Sequence, residues 1–128
     1  MPYVSVDEAQ NATLFETAEA LREFGLTRQR ALLVASDGLR VVLLVLRPGE
    51  EPHRPHRHPR EDEVMLVMQG GGMFTVGSEP GFVAGSGSLV YVPRGVLHGI
   101  QAMGPEPLAL LSIVAPNEDA PDEAVEEG

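Results

Sequence analysis

Cysteine is absent from the 128-residue sequence, which excludes disulfides, thiolate metal sites and cysteine nucleophiles together. Lysine is absent as well, since all nine basic residues are arginine. That removes Schiff-base chemistry on a side chain and any lysine general base. No apolar run approaches the roughly 18 residues of a membrane-spanning helix. The longest, Val41 to Leu46, has the length of a buried strand. Residues Met1 to Glu8 lack the basic and apolar regions of a secretory signal, so a cytoplasmic protein is expected. No basic stripe exists to neutralise phosphates, and nucleic acid is not an expected partner.

What is present fits one soluble domain with a real core: 128 residues, 43% of them hydrophobic. The net charge of −10 is unevenly spread. Glu118, Asp119, Asp122, Glu123, Glu126 and Glu127 crowd into the last twelve residues with no basic partner; without them the body carries −4. Residues 117–128 are therefore expected to form a disordered, solvated tail.

Residues 1–30 are expected to form a helical segment packed on the main body. Thr13-Leu14-Phe15-Glu16 fits a capping box, with Leu14, Ala18 and Leu21 following at helical spacing and Phe15 and Phe24 widening the apolar stripe. Gly25 supplies a stop. From Ala31 onward the pattern is of strands: Ala31–Val34, Val41–Leu46, Val64–Met68, Met73–Val76, Ser88–Val92 and Leu108–Val114. Turn signals such as Ser36-Asp37-Gly38 and Arg47-Pro48-Gly49 separate them. Many short strands at near-regular spacing predict an all-β sandwich or barrel over residues 31–116.

The four histidines fall in two places. His53, His56 and His58 precede Glu61, Asp62 and Glu63; His98 ends Pro93-Arg94-Gly95-Val96-Leu97-His98. Side chains alternate along an extended strand, so His56 and His58 share a face while His53 has the opposite parity. Two imidazoles on one face make a bidentate metal clamp, and Glu63, opening the next strand, can return an oxygen to the same centre. Glu61 is the fallback carboxylate. Glu61 and Asp62 otherwise read as solvated turn residues, and Arg94 as a solvent-exposed residue at the mouth of the barrel. Met65 and Val67 share the parity of Glu63 and are expected to face inward. Phe74, Phe82, Tyr91, Ile100 and Met103 are core or wall candidates.

The full spacing is more specific than the histidine pair. From Gly49 the sequence gives His56-x-His58, four residues, Glu63, six residues and Gly70. From Gly87, five residues lead to Pro93, one to Gly95 and two to His98. These patterns resemble the two motifs of the cupin superfamily, over about residues 31–115. The gap after Gly49 is one residue longer than the common pattern. Ser88 stands where aspartate is frequent, and Ala102 where asparagine usually closes the second motif.

The resemblance implies a double-stranded β-helix, or jelly roll, with His56, His58, Glu63 and His98 converging inside it on one divalent metal. Such donors suit Fe, Mn, Ni, Co, Cu or Zn. A metal-dependent enzyme acting on a small molecule follows, of dioxygenase or isomerase/lyase type, with Glu63 the candidate general base. The alternative is a non-catalytic module that binds or senses a small ligand. Cupins of this kind are commonly homodimers, and the strands Ala31–Val34 and Val41–Leu46 are expected to supply surface for a partner.

Overall fold

The computed structural model describes residues 4–5, 14–24, 30–49, 53–118 and 123–124. In chain order the elements are β1 (Val4–Ser5), α1 (Thr17–Phe24), β2 (Arg30–Ala35), β3 (Arg40–Leu46), β4 (His53–Arg57), β5 (Asp62–Gln69), β6 (Gly71–Val76), β7 (Phe82–Gly85), β8 (Leu89–Val92), β9 (His98–Met103), β10 (Leu108–Ala115) and β11 (Glu123–Ala124). They form two sheets, ordered β1-β2-β3-β10-β5-β8 and β11-β4-β9-β6-β7. The chain crosses repeatedly between them: β4 lies in the second sheet, β5 in the first, β6 and β7 in the second, β8 in the first and β9 in the second. This is the expected double-stranded β-helix with a short N-terminal helix. No helix among the described residues is long and apolar enough to cross a membrane.

Two apolar clusters hold the first sheet on both its faces. Leu44, Leu46, Met65, Val67, Phe74, Val90, Val92, Ile100, Leu108 and Leu110 pack between the sheets. Ala20 of α1 packs with Ala31, Leu33, Leu43, Val45 and Ala109 on the outer face, flanked by Phe15 and Leu21. Strand β3 thus sends Leu44 and Leu46 inward and Leu43 and Val45 outward beneath the helix. Burial on both sides explains why Val41 to Leu46 shows no alternation.

The helical segment packs Phe15 and Leu21 against the barrel as expected, but not Leu14 or Ala18. The helix begins at Thr17, with the Ala20 amide donating to the Glu16 carbonyl at 3.0 Å, and Ala20 is fully buried. Leu14 is 82% exposed and Ala18 is also exposed, so the apolar stripe runs through Phe15, Ala20 and Leu21. Thr13 and Gly25, the expected cap and stop, lie outside the described residues. Helix α1 packs on one face of β2 and β3, the strands expected to face a partner, while Leu32 of β2 stays 36% exposed. Phe74 and Ile100 are core, whereas Phe82, Tyr91 and Met103 are exposed. Tyr91 and Leu89 both occupy outward positions on the edge strand β8, whose pattern alternates exposed and buried.

One turn requires glycine. Gly70 has φ of +74°, and a Cβ there would lie 2.3 Å from the Pro107 carbonyl oxygen. The residue turns the chain from β5 of one sheet into β6 of the other while passing against the entry to β10.

The acidic C-terminal segment meets the barrel at its first two residues. The Asn117 amide donates to the Asp37 carbonyl at 3.1 Å, and its Nδ2 to the Ser36 carbonyl at 2.9 Å. The Glu118 amide donates to Glu61 Oε2 at 2.7 Å. Further on, Glu123–Ala124 pairs antiparallel with β4, Ala124 opposite His56.

Candidate metal centre

Pairing between β4 and β9 sets the first two imidazoles together. His56 stands opposite His98 in the antiparallel register, with ring centroids 4.4 Å apart. His58 follows one residue past the end of β4 and is buried. Its carbonyl accepts the Gly95 amide at 2.8 Å, tying the end of the first motif to the loop of the second. His56, His58 and His98 each offer a ring nitrogen, and those nitrogens all lie within 4.8 Å of one another.

Glu63 arrives from the other sheet. It sits on β5 between Val92 of β8 and Val114 of β10, with its side chain turned inward. Its Oε1 is 3.0 Å from both His58 Nε2 and His98 Nε2. Its Oε2 accepts a short hydrogen bond from the buried Ser112 hydroxyl of β10. Burial pushes the Glu63 carboxyl up, but His58, His98 and Ser112 together outweigh it and hold the group well below the usual carboxylate range. The compact set is the three histidines, and Glu63 touches two of them from across the barrel.

The outer nitrogens of two of these rings face acceptors. His98 Nδ1 donates to the Val96 carbonyl at 3.2 Å. Its Nε2 is buried and stands 3.0 Å from Glu63 Oε1. His58 Nδ1 faces Glu61 Oε1 at 3.5 Å.

The described residues correct several expectations around the site. Glu61 is no solvated turn residue: it is 4% exposed and gripped by Arg40, whose Nη1 and Nη2 lie 2.6 and 3.1 Å from its two oxygens. Asp62 is half-exposed and receives the Arg94 backbone amide at 3.0 Å and its Nη2 at 3.1 Å. The guanidinium and amide of Arg94 hold the Asp62 carboxyl below its ordinary value, and Asp62 in turn raises Arg94. Arg94 is exposed, as expected, and serves to fasten the loop to β5. Met65 and Val67 are buried inward beside Glu63's strand position. The β4–β9 pairing is irregular between His53 and His56, so simple alternation does not extend back to His53, whose side chain lies outside the described residues.

Sequence reasoning missed Arg40, Ser112 and Asn117. Ser112 did carry a signal, as the lone hydroxyl inside the apolar run from Leu108 to Val114. Arg40 and Asn117 carried none, because their partners are 21 and 77 residues away from Arg40.

The matching family model is that of the cupin domain, over residues 42–114. The chain belongs to the cupin family. No curated protein matches its sequence. Among solved structures, a Bacillus halodurans protein shares 21% identity with a TM-score of 0.76, over 91% of this chain and 89% of that one. A Klebsiella pneumoniae protein with a double-stranded β-helix domain shares 24%, also at 0.76, over 91% of this cupin and 100% of its own length. At these identities the likeness is one of fold. Bacillus subtilis oxalate decarboxylase, whose structure carries Mn(II) centres, shares 25% identity with a TM-score of 0.62. That match covers 70% of this cupin but only 24% of the decarboxylase.

Proposed function

We propose that this cupin binds one divalent first-row transition metal on His56, His58, His98 and Glu63 and uses it on a small molecule. The observation that carries the reading is the convergence of His56, His58 and His98, whose ring nitrogens lie within 4.8 Å of one another. Glu63 Oε1 stands 3.0 Å from both His58 Nε2 and His98 Nε2, and all three residues are buried. A cation between them would satisfy these buried ligand atoms together. Three imidazoles and a carboxylate suit borderline metals, consistent with the Mn(II) centres of oxalate decarboxylase.

Such a metal supplies Lewis acidity and, where it is redox-active, electron transfer with substrate or dioxygen. The chain's own residues hold and orient it from both sheets. Glu63 is also the proposed general base, in steps where its Oε1 is released from the histidines. Dioxygenase and isomerase/lyase chemistry are the two reaction classes proposed, in place of a ligand-binding module without turnover. Elemental analysis of purified and metal-reconstituted protein tests the site. One ion per chain is expected, lost in His56→Ala and His98→Ala and kept in His53→Ala. Wild-type protein that takes up no metal refutes the reading, as does a site emptied only by His53→Ala. Oxygen uptake and product analysis with small chelating acids then separate the two reaction classes.

A further inference from the structure

We infer that Glu61, braced by Arg40, is a positioning residue that sets the tautomer of His58. The inference rests on the metal-binding reading above and extends it to the residues behind that ring. His98 has its outer nitrogen fixed by a backbone carbonyl. His58 instead stands between two carboxylates: Nε2 lies 3.0 Å from Glu63 Oε1, and Nδ1 lies 3.5 Å from Glu61 Oε1. A neutral imidazole has one proton and can donate to only one of them. The Glu63 contact is the shorter, and a proton on Nε2 would block ligation there. Ligation through Nε2 needs the proton on Nδ1, and Glu61 is the acceptor that faces it there.

The surroundings of Glu61 aim its carboxylate at that task. Arg40 grips both oxygens, the Glu118 amide adds a third bond to Oε2, and Asn117 Oδ1 accepts from Arg40 Nη1 at 3.0 Å. Oε1 is the oxygen turned toward His58. A buried ion pair gives little net stability over an apolar pair of similar volume. Its place directly behind a candidate ligand has a reason in the carboxylate–histidine–metal arrangement, where the outer partner orients the ring and raises its basicity.

Zinc binding tests this, because Zn(II) is diamagnetic and its affinity can be measured by chelator competition. Glu61→Gln is expected to weaken zinc binding about 10- to 100-fold, with Glu61→Asp partly restoring it. Glu61→Gln also leaves Arg40 without its countercharge and is expected to lower the melting temperature, so affinity is compared at a temperature where the variant's circular dichroism matches wild type. Long-range 1H–15N correlation of the zinc-loaded wild type should show His58 protonated on Nδ1, a readout that needs no variant. Wild-type zinc affinity in Glu61→Gln, or a His58 proton on Nε2 in the loaded protein, overturns the inference while leaving the metal site standing. A wild type that takes up no first-row metal, zinc included, overturns both.

Discussion

Replacing Ser112 with alanine removes one oxygen and leaves Glu63 Oε2 without the hydroxyl that satisfies it. Both side chains are buried, at 8% and 6% exposure, so water cannot easily take over. The bond reaches an ionised acceptor, and such bonds contribute about 1.5–3 kcal/mol where neutral ones contribute about 0.5–1.5. Loss of a single hydroxyl oxygen opens too little volume for a cavity term of comparable size. The metal-free Ser112→Ala protein should therefore lose about 1.5–3 kcal/mol. In a Glu63→Gln background the acceptor is neutral, and the same substitution should cost about 1 kcal/mol less.

Urea unfolding followed by far-ultraviolet circular dichroism measures both costs, since the chain has no tryptophan to report by fluorescence. The midpoint should fall in Ser112→Ala at an unchanged slope, because the surface exposed on unfolding is the same. A cost equal in the two backgrounds would show that Ser112 acts by packing and not through the Glu63 charge. A cost near zero in wild type would show that Oε2 finds another donor. Either result refutes the account of how Glu63 is held.

Three further outcomes follow from the structure. Glu63's folded carboxyl is depressed, so its contribution to metal-free stability is complete above the ordinary value of 4.5 and is lost as pH falls toward the folded value. Acid unfolding should thus narrow the stability gap between wild type and Glu63→Gln, and a gap that widens in acid would reverse the sign assigned here. Truncation after Pro116 removes the bonds of Asn117 and Glu118, and should cost roughly 1–3 kcal/mol relative to truncation after Glu118; equal urea midpoints would make those residues dispensable. We further propose a homodimer joined through the outward residues of the β7 and β8 edges, where Val83, Leu89 and Tyr91 are 62%, 63% and 55% exposed. Sedimentation equilibrium should show twice the 13.7 kDa chain mass and a shift to monomer in Leu89→Glu, whereas a concentration-independent 13.7 kDa species rejects it.

The parts of the fold legible in the sequence are those that short-range rules govern. Alternation identified β5, since Glu63, Met65 and Val67 all turn inward, and spacing to Gly70 fixed its register. The same alternation pairs Glu61 with Glu63, and both are buried while Asp62 between them is not. Glu61 was misread because an acidic residue beside proline and arginine resembles a solvated turn. What overrides that resemblance is Arg40, and nothing local to Glu61 announces it. In α1 the period was legible and Phe15 and Leu21 fell on the packed side, but Ala18 did not and Leu14 precedes the helix, because the buried face depends on which sheet surface the helix meets.

The two kinds of site residue differ in the same way. His56, His58, Glu63 and His98 can be found from order and spacing, since each must project from a particular strand position toward one point. Arg40, Ser112 and Asn117 need only reach another side chain, and several positions on neighbouring strands could do so. Their identity follows from sheet order: β10 lies between β3 and β5, which puts Ser112 beside Met65 and Val42 and within reach of Glu63. Arg40 opens β3 opposite Val114, two residues before the chain leaves β10 toward Asn117. A substitution that preserves all four candidate ligands can therefore still disable the centre, if it alters how β3 and β10 present the groups behind them.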